Sequence, residues 1–109
     1  MENGNKELEQ KLKLSAQRAL LGCIPTSLRS ASFEYKGTEI ACRFIFNGTV
    51  SYADKELLSC AATEIIADYS SPYTISEEYL DVSCPGEMEY LTFLVFLRYE
   101  PKCNIVIEA

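Results

Sequence analysis

Glu64 and Asp68 stand four residues apart in the stretch TEIIAD, residues 63–68, a spacing that places two carboxylates on one face of a helix. Such a pair could serve an acid–base reaction without a metal, or hold Mg²⁺. Two like charges at that spacing are more simply the solvated side of a helix, and that reading is preferred. The stretch nevertheless sets acids beside a strongly apolar face, so the pair could border the core. The remaining inventory removes chemistry. The chain has no histidine, which takes away the commonest general base, the commonest metal ligand and every Ser–His or Cys–His nucleophile. Its cysteines form no CxxC pair, as zinc binding would favour, and its glycines are isolated, as in turns and caps, with no phosphate-binding loop among them. The sequence predicts no catalytic site, no metal and no cofactor.

Cys23, Cys42, Cys60, Cys84 and Cys103 are odd in number and scattered, mostly within apolar segments. They read as buried free thiols of a reducing compartment rather than as a disulfide framework, with Cys103 the one expected to be exposed. No stretch is long and apolar enough to cross a bilayer, and residues 1–13 are polar and charged where a signal peptide would be apolar. A cytoplasmic location and no membrane contact are expected.

The elements that must position any site follow from periodicity. Leu8, Leu12, Ala16, Ala19 and Leu20 form one face of an amphipathic helix over residues 6–21, stopped by Gly22 and Pro25. Residues 24–30 read as a loop. Residues 32–35 and 39–46 alternate about a Lys36-Gly37-Thr38 turn, which predicts a β-hairpin. Ser51 and Asp54 open a second helix whose stripe Leu57, Leu58, Ala61, Ala62, Ile65 and Ile66 runs through to Asp68. Residues 73–83 have strand composition with imperfect alternation, as in a bulged or edge strand guarded by acids. LTFLVFLRY, residues 91–99, is nearly all apolar and predicts a strand covered on both sides or central in a sheet. Residues 103–109 could add a short strand or be a loose tail. The predicted class is α+β, one domain over residues 1–109. Its architecture is a two-layer sandwich of order α-β-β-α-β-β, with the helices on one face of a mainly antiparallel four-stranded sheet.

About half of the 109 residues are apolar (48%) and a quarter charged (24%), which is ordinary globular composition. The net charge is -6, and its placement matters more than its size. Residues 1–53 carry seven Lys or Arg against five Asp or Glu, whereas residues 54–109 carry three against eleven. A surplus of carboxylates repels phosphate backbones, which argues against nucleic acid, and its natural complement is a basic protein. The alternative is a solvated acidic surface that keeps the chain soluble. Of seven tyrosines, five lie in the acidic half, Tyr73, Tyr79 and Tyr90 among them. Tyr73, Tyr79 and Tyr90 could anchor an interface, although most tyrosines here read as rim-of-core residues.

Three stretches carry a resemblance: RALLG followed by P-x-S-L-R in residues 18–29, FNGTVSYADKELLSCAATEIIADY in residues 46–69, and LVFLRYE in residues 94–100. Over residues 17–100 the chain resembles a family of short, acidic bacterial proteins similar to immunity proteins of contact-dependent inhibition and other polymorphic toxin systems. The resemblance implies a cytosolic protein that neutralises a cognate toxin domain by covering its active site or an essential surface, and it carries over no catalytic or binding residue. Joined to the charge pattern, it makes Glu77, Glu78, Asp81, Glu87 and Glu89, with Tyr79 and Tyr90 on a second hairpin, the expected contact for a basic toxin such as a nuclease. Asp54, Glu56, Glu64 and Asp68 form a second candidate patch. A small acidic secretion chaperone, which would dimerise and hold an unfolded effector segment, is the competing non-catalytic reading.

Overall fold

The computed structural model describes residues 2–100, with side chains from Lys6 onward. The expected tail at residues 103–109, and Cys103 with it, lies outside the described residues. The first helix, α1 (Glu2–Leu20), begins earlier than its apolar stripe and buries Leu12, Ala16, Ala19 and Leu20. It ends where Gly22 adopts a φ of 78°, a left-handed conformation that a Cβ would strain.

Strands β1 (Leu28–Lys36) and β2 (Glu39–Phe46) form the expected antiparallel hairpin. β1 starts four residues earlier than alternation alone suggests, so Leu28, Arg29 and Ser30 belong to the strand and not to a loop. The register shifts between Leu28 and Ser30, which leaves Arg29 as the bulged residue. A bulge breaks the alternation by which strands are read from sequence. Helix α2 (Tyr52–Ala67) opens at Ser51, whose Oγ accepts the Asp54 amide at 3.1 Å, and buries Leu58, Ala61, Ala62 and Ile65. Strands β3 (Thr74–Asp81) and β4 (Phe93–Leu97) complete a sheet of order β3-β2-β1-β4.

The element order and the α+β class are as the sequence predicts; the topology departs from it in two ways. First, β3 and β4 form no hairpin: β3 pairs parallel with β2, and β4 pairs antiparallel with β1 at the opposite edge. The sheet is therefore mixed. A 16-residue helix separates β2 from β3, and a crossover of that length naturally returns the chain in the same direction beside the strand it left. Second, among the described residues β4 is an edge strand, with Leu94 39% and Leu97 52% exposed, not a strand covered on both sides. Its apolar run divides between Phe93, Val95 and Phe96, which pack against the core, and the two leucines, which do not.

Joining opposite edges requires residues 82–92 to cross the sheet. They do so on the side away from the helices: Leu91 donates its amide to Ser32 Oγ at 2.9 Å, and Arg43 Nη1 reaches the Glu89 carbonyl at 3.0 Å. The helix side of the sheet is packed by Phe33, Ile40, Phe44 and Phe46, all buried. The opposite side holds Ser30, Ser32 and Ile45, each 0% exposed. Two small hydroxyl side chains on β1 leave room for this strap to lie close to the sheet, and one of them supplies it with an acceptor.

Candidate functional site

The predicted contact residues do not form one patch, because neighbours on a strand point to opposite sides of the sheet. Glu77 turns toward the helices: its Oε2 accepts Ser59 Oγ of α2 at 3.2 Å and its Oε1 accepts the Tyr79 hydroxyl at 2.5 Å. Tyr79 stacks on Phe44 at 5.4 Å between ring centroids and is half-buried against the core. Desolvation and the nearby carboxylate raise its phenol pKa. The residue expected as an interface anchor thus closes the edge of the core between β2, β3 and α2. Asp81 is likewise engaged internally, accepting the Gly48 amide at 2.9 Å and Ser83 Oγ at 3.3 Å.

The second expected patch, on α2, is spread along the helix. Asp54 accepts Ser27 Oγ at 3.2 Å near the N-terminus, and Glu56 bonds the exposed phenol of Tyr52, whose pKa it raises. At the other end, Asp68 is the C-cap residue, where the helix dipole disfavours a carboxylate. One oxygen of Asp68, Oδ2, accepts Ser15 Oγ at 2.5 Å and Arg18 Nη2 at 3.0 Å. These two donors from α1, the buried serine foremost, hold the carboxyl below its ordinary pKa. Glu64 and Asp68 do line a common cleft of about 270 Å³ with Ser15, Arg18, Ala19 and Ala67. Asp68 ties α1 to α2 there, and an acid kept ionised by two donors is a poor proton donor at neutral pH.

On the strap side the acids take a different form. Glu78 pairs with Arg43 Nε at 2.9 Å. Glu87 and Glu89 lie at the rim of a depression of about 410 Å³ lined by Arg43, Ile45, Leu80 and Val82, and among the described residues their carboxylates have no ion-pair partner. Tyr90 follows in the strap, 40% exposed. Register places Leu94 opposite Ser32 and Leu97 opposite Ser30, so both exposed leucines of β4 share the strap side. This side therefore unites carboxylates near β3 with exposed apolar surface near β4. The leucines were missed in the sequence because an unbroken apolar run hides which of its members are uncovered; the bulge at Val95, where the β1–β4 register shifts, is what turns them to one side.

The strap is fixed at its start by a buried charge. Arg29, 3% exposed, donates from Nε and Nη2 to the two carboxylate oxygens of Glu100 at 2.7 and 2.9 Å, and from Nη1 to the Val82 carbonyl. Arg98 adds a contact to Glu100 at 3.1 Å, and Cys84 Sγ lies 3.8 Å from the same carboxylate. The last residues of P-x-S-L-R and LVFLRYE, stretches that carried the resemblance, thus meet at one ion pair that anchors the strap and the end of β4. No group of His, Cys, Asp or Glu among the described residues is arranged to hold a metal ion. The cysteines are less buried than expected: Cys42 alone of the four described is buried, Cys23 and Cys84 are half-buried and Cys60 is exposed. None of the described helices is long and apolar enough to cross a membrane.

A search of curated proteins found no match. The family described as MafI2 immunity protein matches residues 9–100, from within α1 to Glu100, the residue that pairs with Arg29. The chain belongs to the MafI2 immunity protein family.

Proposed function

We propose that this protein protects its host by binding a cognate toxin domain in the cytoplasm, without catalysis, and that the strap side of the sheet is the docking surface. The observation that carries this reading is the placement of Tyr90, Leu94 and Leu97, all exposed, on the same side as Glu78, Glu87 and Glu89. Exposed apolar and aromatic anchors beside charged groups are what a specific protein interface uses. The helix side offers a different surface, in which Glu77, Asp54 and Asp68 are engaged by neighbours. A partner with a basic substrate-binding surface, such as a nuclease, fits the strap side by charge, and the net charge of -6 would speed the encounter.

Co-expression with the cognate toxin domain, sought among the neighbouring genes, tests the function. Survival of the cells and recovery of a stoichiometric complex are expected; cell death without any complex would overturn the reading. A stable dimer that retains an unfolded effector segment would assign the chain to the secretion chaperones.

A further inference from the structure

Among the described residues the two edges of the sheet, β3 and β4, are unlike. β3 carries Glu77, Glu78 and Asp81 within TISEEYLD, whereas β4 reads FLVFL, with no charge and no proline. Charged residues on an edge strand block pairing with another chain, and β4 has none; its shortness and the bulge at Val95 limit a partner strand to a few residues without closing the edge. Both sides of the β4 edge are apolar. On the helix side, Leu20, Leu21, Ile24, Val95 and Phe96, with Gln17 and Gly22, line an open cavity of about 420 Å³ beside the strand. On the strap side stand Leu94 and Leu97. Leu21, at the lip of the cavity, is 77% exposed.

A strand laid along this edge would alternate its side chains between the cavity and the two leucines. We propose, resting on the docking surface argued above, that the toxin supplies that strand: an extended segment pairs with β4 as a fifth strand and places an apolar side chain in the cavity between α1 and β4. A second copy of this chain fits less well. Pairing two five-residue strands covers far less than the roughly 1,200 Å² at which stable interfaces begin, and both copies carry the same net charge of -6. A toxin covering the strap side already reaches Leu94 and Leu97, so the edge continues that contact without a gap.

Hydrogen exchange of the full chain, alone and with the toxin domain found by co-expression, reads the pairing directly. In the complex the amides of residues 93–97 are expected to exchange at least about tenfold more slowly, since new inter-strand bonds protect them. Leu21→Glu, which puts a charge at the cavity lip, is expected to weaken binding about tenfold or more while thermal unfolding is unchanged. Protection of residues 83–92 with unaltered exchange in 93–97, and wild-type affinity of Leu21→Glu, would overturn the added strand and leave the docking surface intact. Protection confined to the helices would overturn both. Protection of 93–97 in the free chain that vanishes on dilution would assign the edge to self-association instead.

Discussion

Arg29 and Glu100 are separated by 71 residues and meet through two parallel hydrogen bonds of 2.7 and 2.9 Å, with the arginine almost wholly buried. A planar guanidinium against both oxygens of a carboxylate is a strong and directional ion pair. Because the same guanidinium also holds the Val82 carbonyl, one side chain fixes where the strap departs and where β4 ends. The shape of the strap side depends on this pair, although neither residue belongs to the candidate contact.

Arg29→Ala is expected to destabilise the fold by about 3 kcal/mol, the scale for removing one partner of a buried pair. Urea unfolding followed by circular dichroism checks this. The loss is structural, so toxin binding should weaken in proportion to the unfolded fraction, and low temperature should restore it. Retention of wild-type stability would show that the pair contributes nothing to the anchor.

The same pair sets a pH dependence. The bond from Arg29, with help from Arg98, lowers the Glu100 pKa from 4.5 to about 2. A folded-state pKa below the unfolded value gives stability that is fully present above about pH 4.5 and is lost as pH falls toward about 2. Glu100→Gln is expected to be less stable than wild type at pH 7, with the difference shrinking between pH 4.5 and 2. A gap of equal size at both ends would mean that packing, not charge, explains the loss.

Buried and exposed thiols should separate in labelling. Burial pushes the Cys42 pKa up to about 12, with Glu77 adding to the effect, while Cys60 is exposed. At pH 8 a thiol-reactive probe is expected to modify Cys60 in the native protein and Cys42 only after denaturation, as peptide mass spectrometry would show. With the folded pKa raised, the stability linked to Cys42 is present below pH 9 and declines as pH rises toward about 12. Native modification of Cys42 would indicate opening of the β2 region.

A tyrosine cluster joins α1, β1 and the loop after α2. The Tyr35 hydroxyl donates to the Leu8 carbonyl at 2.8 Å and lies 2.7 Å from the Tyr69 hydroxyl, while the rings of Tyr69 and Tyr73 approach to 5.0 Å. Tyr35→Phe removes both contacts of that hydroxyl and leaves the Tyr69 oxygen without this partner. It is expected to cost about 1–2 kcal/mol, more than Tyr69→Phe at about 1 kcal/mol. Urea midpoints give the order, and a larger loss in Tyr69→Phe would reverse the assignment of the central hydroxyl.

The parts of the fold that were legible in the sequence are those fixed by local physics. The Ser51–Asp54 cap and the stripe from Leu57 to Ile66 gave α2, and the Lys36-Gly37-Thr38 turn gave the first hairpin. Strand pairing is non-local, and nothing in the residues near Pro85 and Gly86 says that the chain crosses the sheet there instead of turning back. The same limit governed the site. Glu77 and Glu78 read as one acidic patch along the chain, yet strand alternation sends the first to Ser59 of α2 and the second to Arg43 on the strap side. Alternation alone would have separated them. The contribution of Leu94 and Leu97 required the sheet order.

Charge reversal can decide which side of the sheet meets the toxin. Glu87 and Glu89 rim the strap-side depression, and Glu56 and Glu64 lie on α2. All four residues are at the surface, so reversing either pair should change stability by no more than about 0.5 kcal/mol. If a basic partner docks on the strap side, Glu87→Lys with Glu89→Lys should slow association at least about tenfold at low salt, and the deficit should narrow as salt screens the interaction. Glu56→Lys with Glu64→Lys carries the same change in net charge, so it should slow the long-range encounter slightly and leave dissociation unchanged. The equal net charge makes the comparison decisive: any difference between the two doubles arises from position. A larger loss in the α2 double would move the docking surface to the helix side, where Glu77 and Tyr79 would regain the contact role that their internal bonds argue against.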